Sequence, residues 1–215
     1  MSSQGLMRAG SLFLLLLSLS TRLAGQDPIL RVVPGRRIGP VMRTSTLTTL
    51  QKALGKAAAV ADSLDVGEGI LTPGVTLFPA DSLRRAWVYW SDTIGFTRPT
   101  TVLIRSRGTR WTLPGGLTIG TPLARLVELN GRAFRFSGFG WDYGGRAAAW
   151  DGGRLERIVG PGMTLGVTLM PTCQDSMPAG HYQAIVGDVE ISSEMPEARE
   201  ACIVVDELWI GFTPP

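Results

Sequence analysis

The sequence has few of the residues on which several common kinds of active site depend. Its 215 residues include a single histidine, His181, and only two cysteines, Cys173 and Cys202. One histidine excludes a multi-histidine metal site and argues against a Ser-His-Asp triad, and two cysteines exclude a four-thiolate zinc site. The sequence also lacks a Gly-x-Ser-x-Gly motif and a phosphate-binding loop that ends in Lys-Ser or Lys-Thr. We therefore predict no catalytic residue, no metal ligand and no cofactor.

The sequence is also poor in charge. Charged residues make up 18% of the chain and apolar residues 44%, whereas disordered chains show the opposite balance. The 27 glycines and 14 prolines are scattered without a period, which excludes a collagen-like chain. This composition indicates a folded protein.

The longest apolar run lies near the N-terminus and is too short to cross a membrane. Arg8 precedes an apolar run over residues 12–19, and small residues follow it, which is typical of a secretory signal peptide. A transmembrane helix needs about 20 apolar residues. We predict a signal peptide over residues 1–25, cleaved near Gly25, and hence a periplasmic or secreted location. Gln26 stands where a lipoprotein carries its lipidated cysteine, so we expect no stable membrane anchor.

The net charge of the mature chain is close to zero. Cleavage of the predicted leader removes Arg8 and Arg22 and leaves 19 basic against 18 acidic residues, a net charge of +1 instead of +3. A chain this close to neutrality lacks the basic field that attracts nucleic acid. We therefore expect no nucleic-acid partner.

The two cysteines are expected to form a disulfide. Outside the cytosol an oxidising compartment favours a bridge between Cys173 and Cys202, and no third thiol competes for either of them. A redox-active pair is the alternative, but such pairs usually have Cys-x-x-Cys spacing.

Two short helices are predicted 76 residues apart. In the first, Leu47–Gly55, hydroxyl residues precede leucines at helical spacing and a glycine ends the segment. The second, Leu123–Gly131, has the same pattern, with Thr121 predicted as the cap and Pro122 at the first helical position. Helices this short need a larger element to pack on.

Strand-like segments follow each predicted helix, and an alanine-rich stretch at Ala57–Ala61 is expected to add a helical turn. Alternation such as Val102 and Ile104 opposite Arg105 is typical of a sheet with one covered face. The predicted strands are Ile70–Phe78, Ala86–Trp90, Thr101–Arg105, Arg110–Leu113, Ala133–Phe139, Arg146–Trp150, Leu155–Val159, Met163–Met170, Gln183–Ile191 and Ala201–Phe212. We predict an α+β fold of two related units, each a capped helix on an antiparallel sheet. After an N-terminal segment over residues 26–35, the units cover residues 36–115 and 116–215.

This tandem pattern resembles the fold of the β-lactamase-inhibitor-protein-like group, which includes the SmpA/OmlA outer-membrane assembly lipoproteins. The resemblance is carried by Leu47–Gly55 and Leu123–Gly131, with their capping residues and the strands that follow. It implies an extracytoplasmic binding scaffold whose sheet presents aromatic side chains to a protein partner. The chain departs from the lipoprotein members at Gln26.

The densest cluster of aromatic residues and glycines lies between Gly138 and Gly153. Glycines there allow a tight turn on which aromatic side chains stand exposed, and Trp, Tyr and Arg dominate the hot spots of protein interfaces. A glycan platform is a second interpretation, and a purely structural role of the rings is a third. The candidate binding residues are Trp141, Asp142, Tyr143, Trp150, Arg132, Arg135 and Arg146.

The acidic residues allow two further interpretations, both weaker. Calcium needs six to eight oxygens, and neither the pair Asp142 and Asp151 nor the acidic residues over 188–200 resemble a dense binding loop. A glycosidase needs two carboxylates in one cleft, which a sequence leaves open, and Asp142 with Glu128 or Asp151 would be the pair.

The sequence thus predicts an exported, non-enzymatic protein that binds a protein or cell-envelope partner through an aromatic and arginine-rich sheet surface. The alternative is a carbohydrate-binding or carbohydrate-active module centred on Trp141–Trp150. The sequence leaves the oligomeric state open.

Overall fold

The computed structural model describes residues 27–214, and the predicted signal peptide lies outside the described residues. As predicted, the protein is α+β and rich in strands. Its helices are α1 (Leu47–Leu54), α2 (Leu123–Asn130) and α3 (Pro196–Glu200). Its strands are β1 (Val32–Val33), β2 (Arg37–Ile38), β3 (Val41–Met42), β4 (Ala59–Asp65), β5 (Leu71–Leu77), β6 (Ala86–Asp92), β7 (Thr97–Ile104), β8 (Arg135–Ser137), β9 (Ala147–Ala149), β10 (Met163–Met170), β11 (Glu190–Ser192) and β12 (Val204–Phe212).

One six-stranded antiparallel sheet dominates the fold. Its strand order is β10-β12-β7-β6-β5-β4, so that β12, the last strand in the chain, lies between β10 and β7. Strands β4 to β7 form a meander, in which each strand pairs with the next one along the chain. Two three-stranded sheets accompany it, one of β1-β2-β3 and one of β11-β8-β9.

The two faces of the six-stranded sheet differ in what covers them. Side chains alternate between the faces of a strand, and antiparallel partners share a face. Val88, Val102 and Ile210 lie on one face, which we call the inner face, and all three are fully buried. They belong to the same buried cluster as Leu50 of α1 and Leu126 of α2. The opposite face, the outer face, carries the candidate site.

Both eight-residue helices are predicted, and both end before the predicted glycine, but α2 begins one residue later than its predicted cap implies. Thr46 caps α1, because its hydroxyl accepts a hydrogen bond from the backbone N–H of Thr49, and glycines end both helices. The predicted cap of α2 is wrong. Pro122 occupies that position with an extended backbone, and the Thr121 hydroxyl donates to the carbonyl of Thr118 instead.

Two strand predictions differ from the structure for local reasons. Arg110–Leu113 is paired only through an isolated bridge between Arg31 and Thr112, because the neighbouring strand β1 has two residues. Leu155–Val159 was expected as a strand, yet a 3-10 turn covers Arg154–Arg157.

The predicted strand Gln183–Ile191 and the predicted helical turn at Ala57–Ala61 are each correct only in part. The first divides into a 3-10 turn (Tyr182–Ile185) and β11, because Gly187 interrupts the segment with a φ of 100°. The second starts as a 3-10 turn (Lys56–Ala58) and continues as β4.

The disulfide between Cys173 and Cys202 is confirmed, with a Cα–Cα distance of 5.3 Å. It joins the chain just after β10 to the chain just before β12, its neighbour in the sheet. A disulfide fits an oxidising, extracytoplasmic location. Within residues 27–214, no helix is both long and apolar enough to cross a membrane.

The division into two related units stays a prediction. The helices recur at the predicted spacing, whereas β10 and β12 of the second predicted unit extend the sheet of the first one.

Candidate functional site

Aromatic side chains occupy the centre of the outer face. Trp87 on β6 lies opposite Leu103 on β7, and Leu103 lies opposite Trp209 on β12, so the three side chains form a row across the strands. Tyr89 stacks on Trp209 with 5.9 Å between the ring centroids and 30° between the ring planes. The outer face therefore carries rings where a solvated sheet face usually carries polar side chains.

One wall over this floor is the tip of the β4–β5 hairpin. The Tyr89 hydroxyl donates to the carbonyl of Asp65 at 2.8 Å, which ties the hairpin to the sheet. Burial raises the pKa of the Tyr89 hydroxyl. Leu64, which is 3% exposed, packs directly over Gly74, where a Cβ would lie only 2.2 Å from Leu64 Cδ1. The hairpin is thus bent over the outer face.

The opposite wall is the loop that precedes β9. Gly145 lies against the edge strand β10, because its carbonyl accepts a hydrogen bond from the Leu169 N–H at 2.8 Å. A Cβ at Gly145 would lie 2.0 Å from the Leu169 carbonyl oxygen, so only glycine permits this approach. The contact sets Arg146 opposite Thr168 and places its guanidinium 5.4 Å from the centroid of the Tyr143 ring.

Between these walls lies a groove of about 510 Å³, which we call the outer-face groove. Two arginines line it, Arg105 and Arg146, and the Arg105 guanidinium lies 4.6 Å from the centroid of the Trp87 ring. The remaining lining comes from the hairpin tip, the sheet and the loop: Asp65, Val66, Gly67, Glu68, Ile70, Leu103, Asp142, Tyr143, Glu207 and Trp209. A second cavity of about 390 Å³ also includes Arg146 and Trp209, and continues over β10.

The bend of the hairpin can be tested with a variant of Gly74. We expect Gly74→Ala to lower the free energy of unfolding by about 1–3 kcal/mol, because the new methyl group overlaps the side chain of Leu64. Urea unfolding measures the change. In the Gly74→Ala background, Leu64→Ala should lower the free energy of unfolding by less than it does in the parent chain, because the smaller side chain removes the overlap. If the effects of the two substitutions on the free energy of unfolding are simply additive, this packing is contradicted.

Three of the predicted binding residues line the groove, namely Asp142, Tyr143 and Arg146. Trp141 lies next to them, 37% exposed, with its ring edge-on to Tyr143 at 5.5 Å and its indole N–H donating to the Gly138 carbonyl at 2.8 Å. The tight turn predicted for this segment is present, since the Gly144 N–H donates to the Trp141 carbonyl.

The structure places the other predicted residues elsewhere. Trp150 is 8% exposed and packs against Phe134 at 4.9 Å, and its carbonyl accepts a hydrogen bond from the buried amide of Asn130. Arg135 pairs with Asp151 at 2.6 Å and with Glu190 at 2.8 Å.

The ion pairs of Arg135 also account for the shifted titration of these groups. The hydrogen bonds from the guanidinium lower the pKa of Asp151, and those to the two carboxylates raise the pKa of Arg135. Arg132 is exposed, and its charge adds to the lowering at Asp151. Arg135 and Glu190 lie in the small β11-β8-β9 sheet, Arg132 and Asp151 lie next to it, and none of the four lines the groove.

The carboxylates proposed for glycoside hydrolysis do not meet in the groove. Asp142 lines it, whereas Glu128 pairs with Arg125 on α2 and Asp151 pairs with Arg135. Among residues 27–214, no group of three or more His, Cys, Asp and Glu side chains is placed to hold a metal ion.

The sequence patterns do not predict the cluster of rings on the outer face. Trp87, Tyr89 and Trp209 lie in strands whose predicted bounds are almost correct, but their predicted role does not include a binding surface. The sequence signal for these rings is the alternation of side chains along the strands. The outward positions of a half-covered sheet normally carry polar residues, and here they carry three aromatic rings.

Comparison of the chain with family models, with curated proteins and with solved structures finds no match. The candidate function therefore depends on the geometry of the groove.

Proposed function

We propose that the protein is an exported, non-enzymatic binding protein that holds a protein partner, or another component of the cell envelope, in the outer-face groove. The observation that carries this proposal is the row of Trp87, Leu103 and Trp209 on the outer face, of which Leu103 and Trp209 line the groove between the two walls. Trp, Tyr and Arg are the residues that contribute most to binding at protein interfaces. The disulfide and the leader-like N-terminus support an extracytoplasmic location.

The walls favour a protein over a glycan as the partner. Val66 and Ile70 on the hairpin tip are 51% and 59% exposed, and Tyr143 on the opposite wall is 51% exposed. Exposed aliphatic side chains beside aromatic ones are typical of a protein-binding patch. The carbohydrate alternative loses one of its rings, because Trp150 is buried. The resemblance to the β-lactamase-inhibitor-protein-like group agrees with this proposal and stays a prediction.

Site-specific photo-crosslinking tests the proposal. A photoreactive amino acid in place of Ile70, on the groove wall, should crosslink to one discrete protein in the extracytoplasmic fraction of the native cells. The same amino acid in place of Ile94 is the control, because Ile94 is 94% exposed in the β6–β7 turn and does not line the groove. Trp209→Ala should abolish the adduct at position 70.

Equal crosslinking from both positions would contradict the proposal, and so would an adduct that survives Trp209→Ala. An adduct with polysaccharide and with no protein would favour the carbohydrate alternative instead.

A further inference from the structure

The two arginines of the groove have hydrogen-bond donors that no residue of the described chain uses. No carboxylate oxygen among residues 27–214 lies within 4.0 Å of the guanidinium of Arg105 or Arg146. Their observed side-chain contacts are with ring faces, those of Trp87 and Tyr143. Arg135 provides the contrast, because its guanidinium is occupied by Asp151 and Glu190.

The ring contacts hold both guanidiniums in place without using their N–H groups. An arginine that lies over an aromatic ring is attracted to the face of that ring. The N–H groups of its planar guanidinium stay free to bind a second partner. Each fork matches the two oxygens of a carboxylate. The two forks line one groove of about 510 Å³, so one ligand segment can meet both.

Some of the carboxylates that line the groove already accept hydrogen bonds from other groups of this chain. Glu207 accepts hydrogen bonds from the Trp209 indole N–H at 2.9 Å and from the Thr168 hydroxyl at 3.3 Å. Asp65 accepts one from the Gly67 N–H at 2.7 Å. Glu68 and Asp142 are exposed. Arg105 and Arg146 are the cationic side chains among the residues that line the groove, so they are its charged hydrogen-bond donors.

We propose that Arg105 and Arg146 together bind a carboxylate side chain of a protein partner. This inference rests on the proposed function, and it names the chemistry that the groove recognises. The neighbouring Val66, Ile70 and Tyr143 contact the apolar residues that flank the acidic one. Glu68 and Asp142 disfavour a second acidic residue at the walls, because like charges repel across a groove.

Selection of random peptides displayed on phage, with the full chain as the target, tests this recognition. The selected peptides should carry Asp or Glu beside apolar residues. Synthetic copies should bind about 10- to 100-fold more weakly to Arg105→Ala and to Arg146→Ala, because each variant removes charge-assisted hydrogen bonds. Arg105→Lys should recover only part of the loss, since lysine lacks the planar fork.

Two controls separate recognition from a general effect of charge. Arg36→Ala removes an exposed arginine of the β1–β2 turn, which does not line the groove, and should leave the affinity unchanged. A peptide in which the acidic residue is replaced by alanine should bind the parent chain weakly and lose nothing further in Arg105→Ala.

The contrary outcomes distinguish this inference from the proposed function. Peptides whose binding is lost in Trp209→Ala but unchanged in both arginine variants would overturn the inference and leave the proposed function intact. Failure to select any peptide that depends on Trp209 would overturn both. Polygalacturonate that binds in an arginine-dependent way, with no peptide that does so, would replace the protein partner by an acidic polysaccharide.

Discussion

Replacing Trp111 by alanine is expected to lower the free energy of unfolding by about 3–5 kcal/mol, the range for removing a buried tryptophan. Trp111 is fully buried, and its indole N–H donates to the Arg84 carbonyl at 2.7 Å. Its ring lies on Gly39, where a Cβ would be 2.2 Å from Trp111 Cζ3. The ring thus joins the β1-β2-β3 sheet to the segment that follows β7. Urea unfolding monitored by circular dichroism measures the loss.

A second buried tryptophan provides the matched control for the hydrogen bond. Trp90 is 6% exposed, and its indole N–H has no partner among residues 27–214. Substitution by phenylalanine removes the indole N–H from either residue. Trp111→Phe should lower the free energy of unfolding by about 1–3 kcal/mol more than Trp90→Phe does, because only Trp111→Phe leaves the Arg84 carbonyl without its donor. Equal costs would show that the bond at Trp111 contributes little.

Removal of the disulfide is expected to cost about 3–4 kcal/mol in the double variant Cys173→Ala, Cys202→Ala. The bridge closes a loop with a sequence separation of 29 residues, and the loop-closure entropy of the unfolded chain sets this magnitude. The dependence of the unfolding free energy on urea should become steeper, because the unbridged unfolded chain exposes more surface. Equilibrium unfolding in urea measures both quantities.

The parent chain under reducing conditions is the control for this experiment. It should lose the same stability as the double variant, whereas the double variant should be insensitive to the reductant. A loss below about 1 kcal/mol in both would mean that strain in the folded state offsets the entropy.

The sequence predicts those parts of the fold that depend on local contacts. The ends of α1 and α2 follow from leucine spacing and from Gly55 and Gly131, which lie within the segments themselves. β10 has the predicted bounds, Met163–Met170, because its alternation continues over eight residues. The disulfide follows from the presence of two cysteines together with a predicted leader.

The elements that the sequence does not predict have short or ambiguous signals. Strands of two residues, such as β1 to β3, show no period at all. Leu155 and Val159 are both fully buried and four residues apart, a spacing that suits a helical turn better than a strand. An apolar run of this length does not tell the two apart.

The groove could be predicted only in part, for a different reason. One wall, with Tyr143 and Arg146, comes from a glycine-rich segment whose composition attracts notice. The other wall and the floor come from segments near residues 65, 103 and 207, which only the strand order brings together. No local pattern in the sequence encodes that order.

The position of β12 between β10 and β7 also governs when the groove can form. β10 and β7 do not pair with each other. The sheet therefore stays in two parts until residues 204–212 insert between these two strands. Contacts this distant along the chain form slowly, because the loop must close before the pairing stabilises it. Trp209 arrives with that last strand. The groove is therefore complete only when β12, which carries Glu207 and Trp209 of its lining, has paired with both of its neighbours.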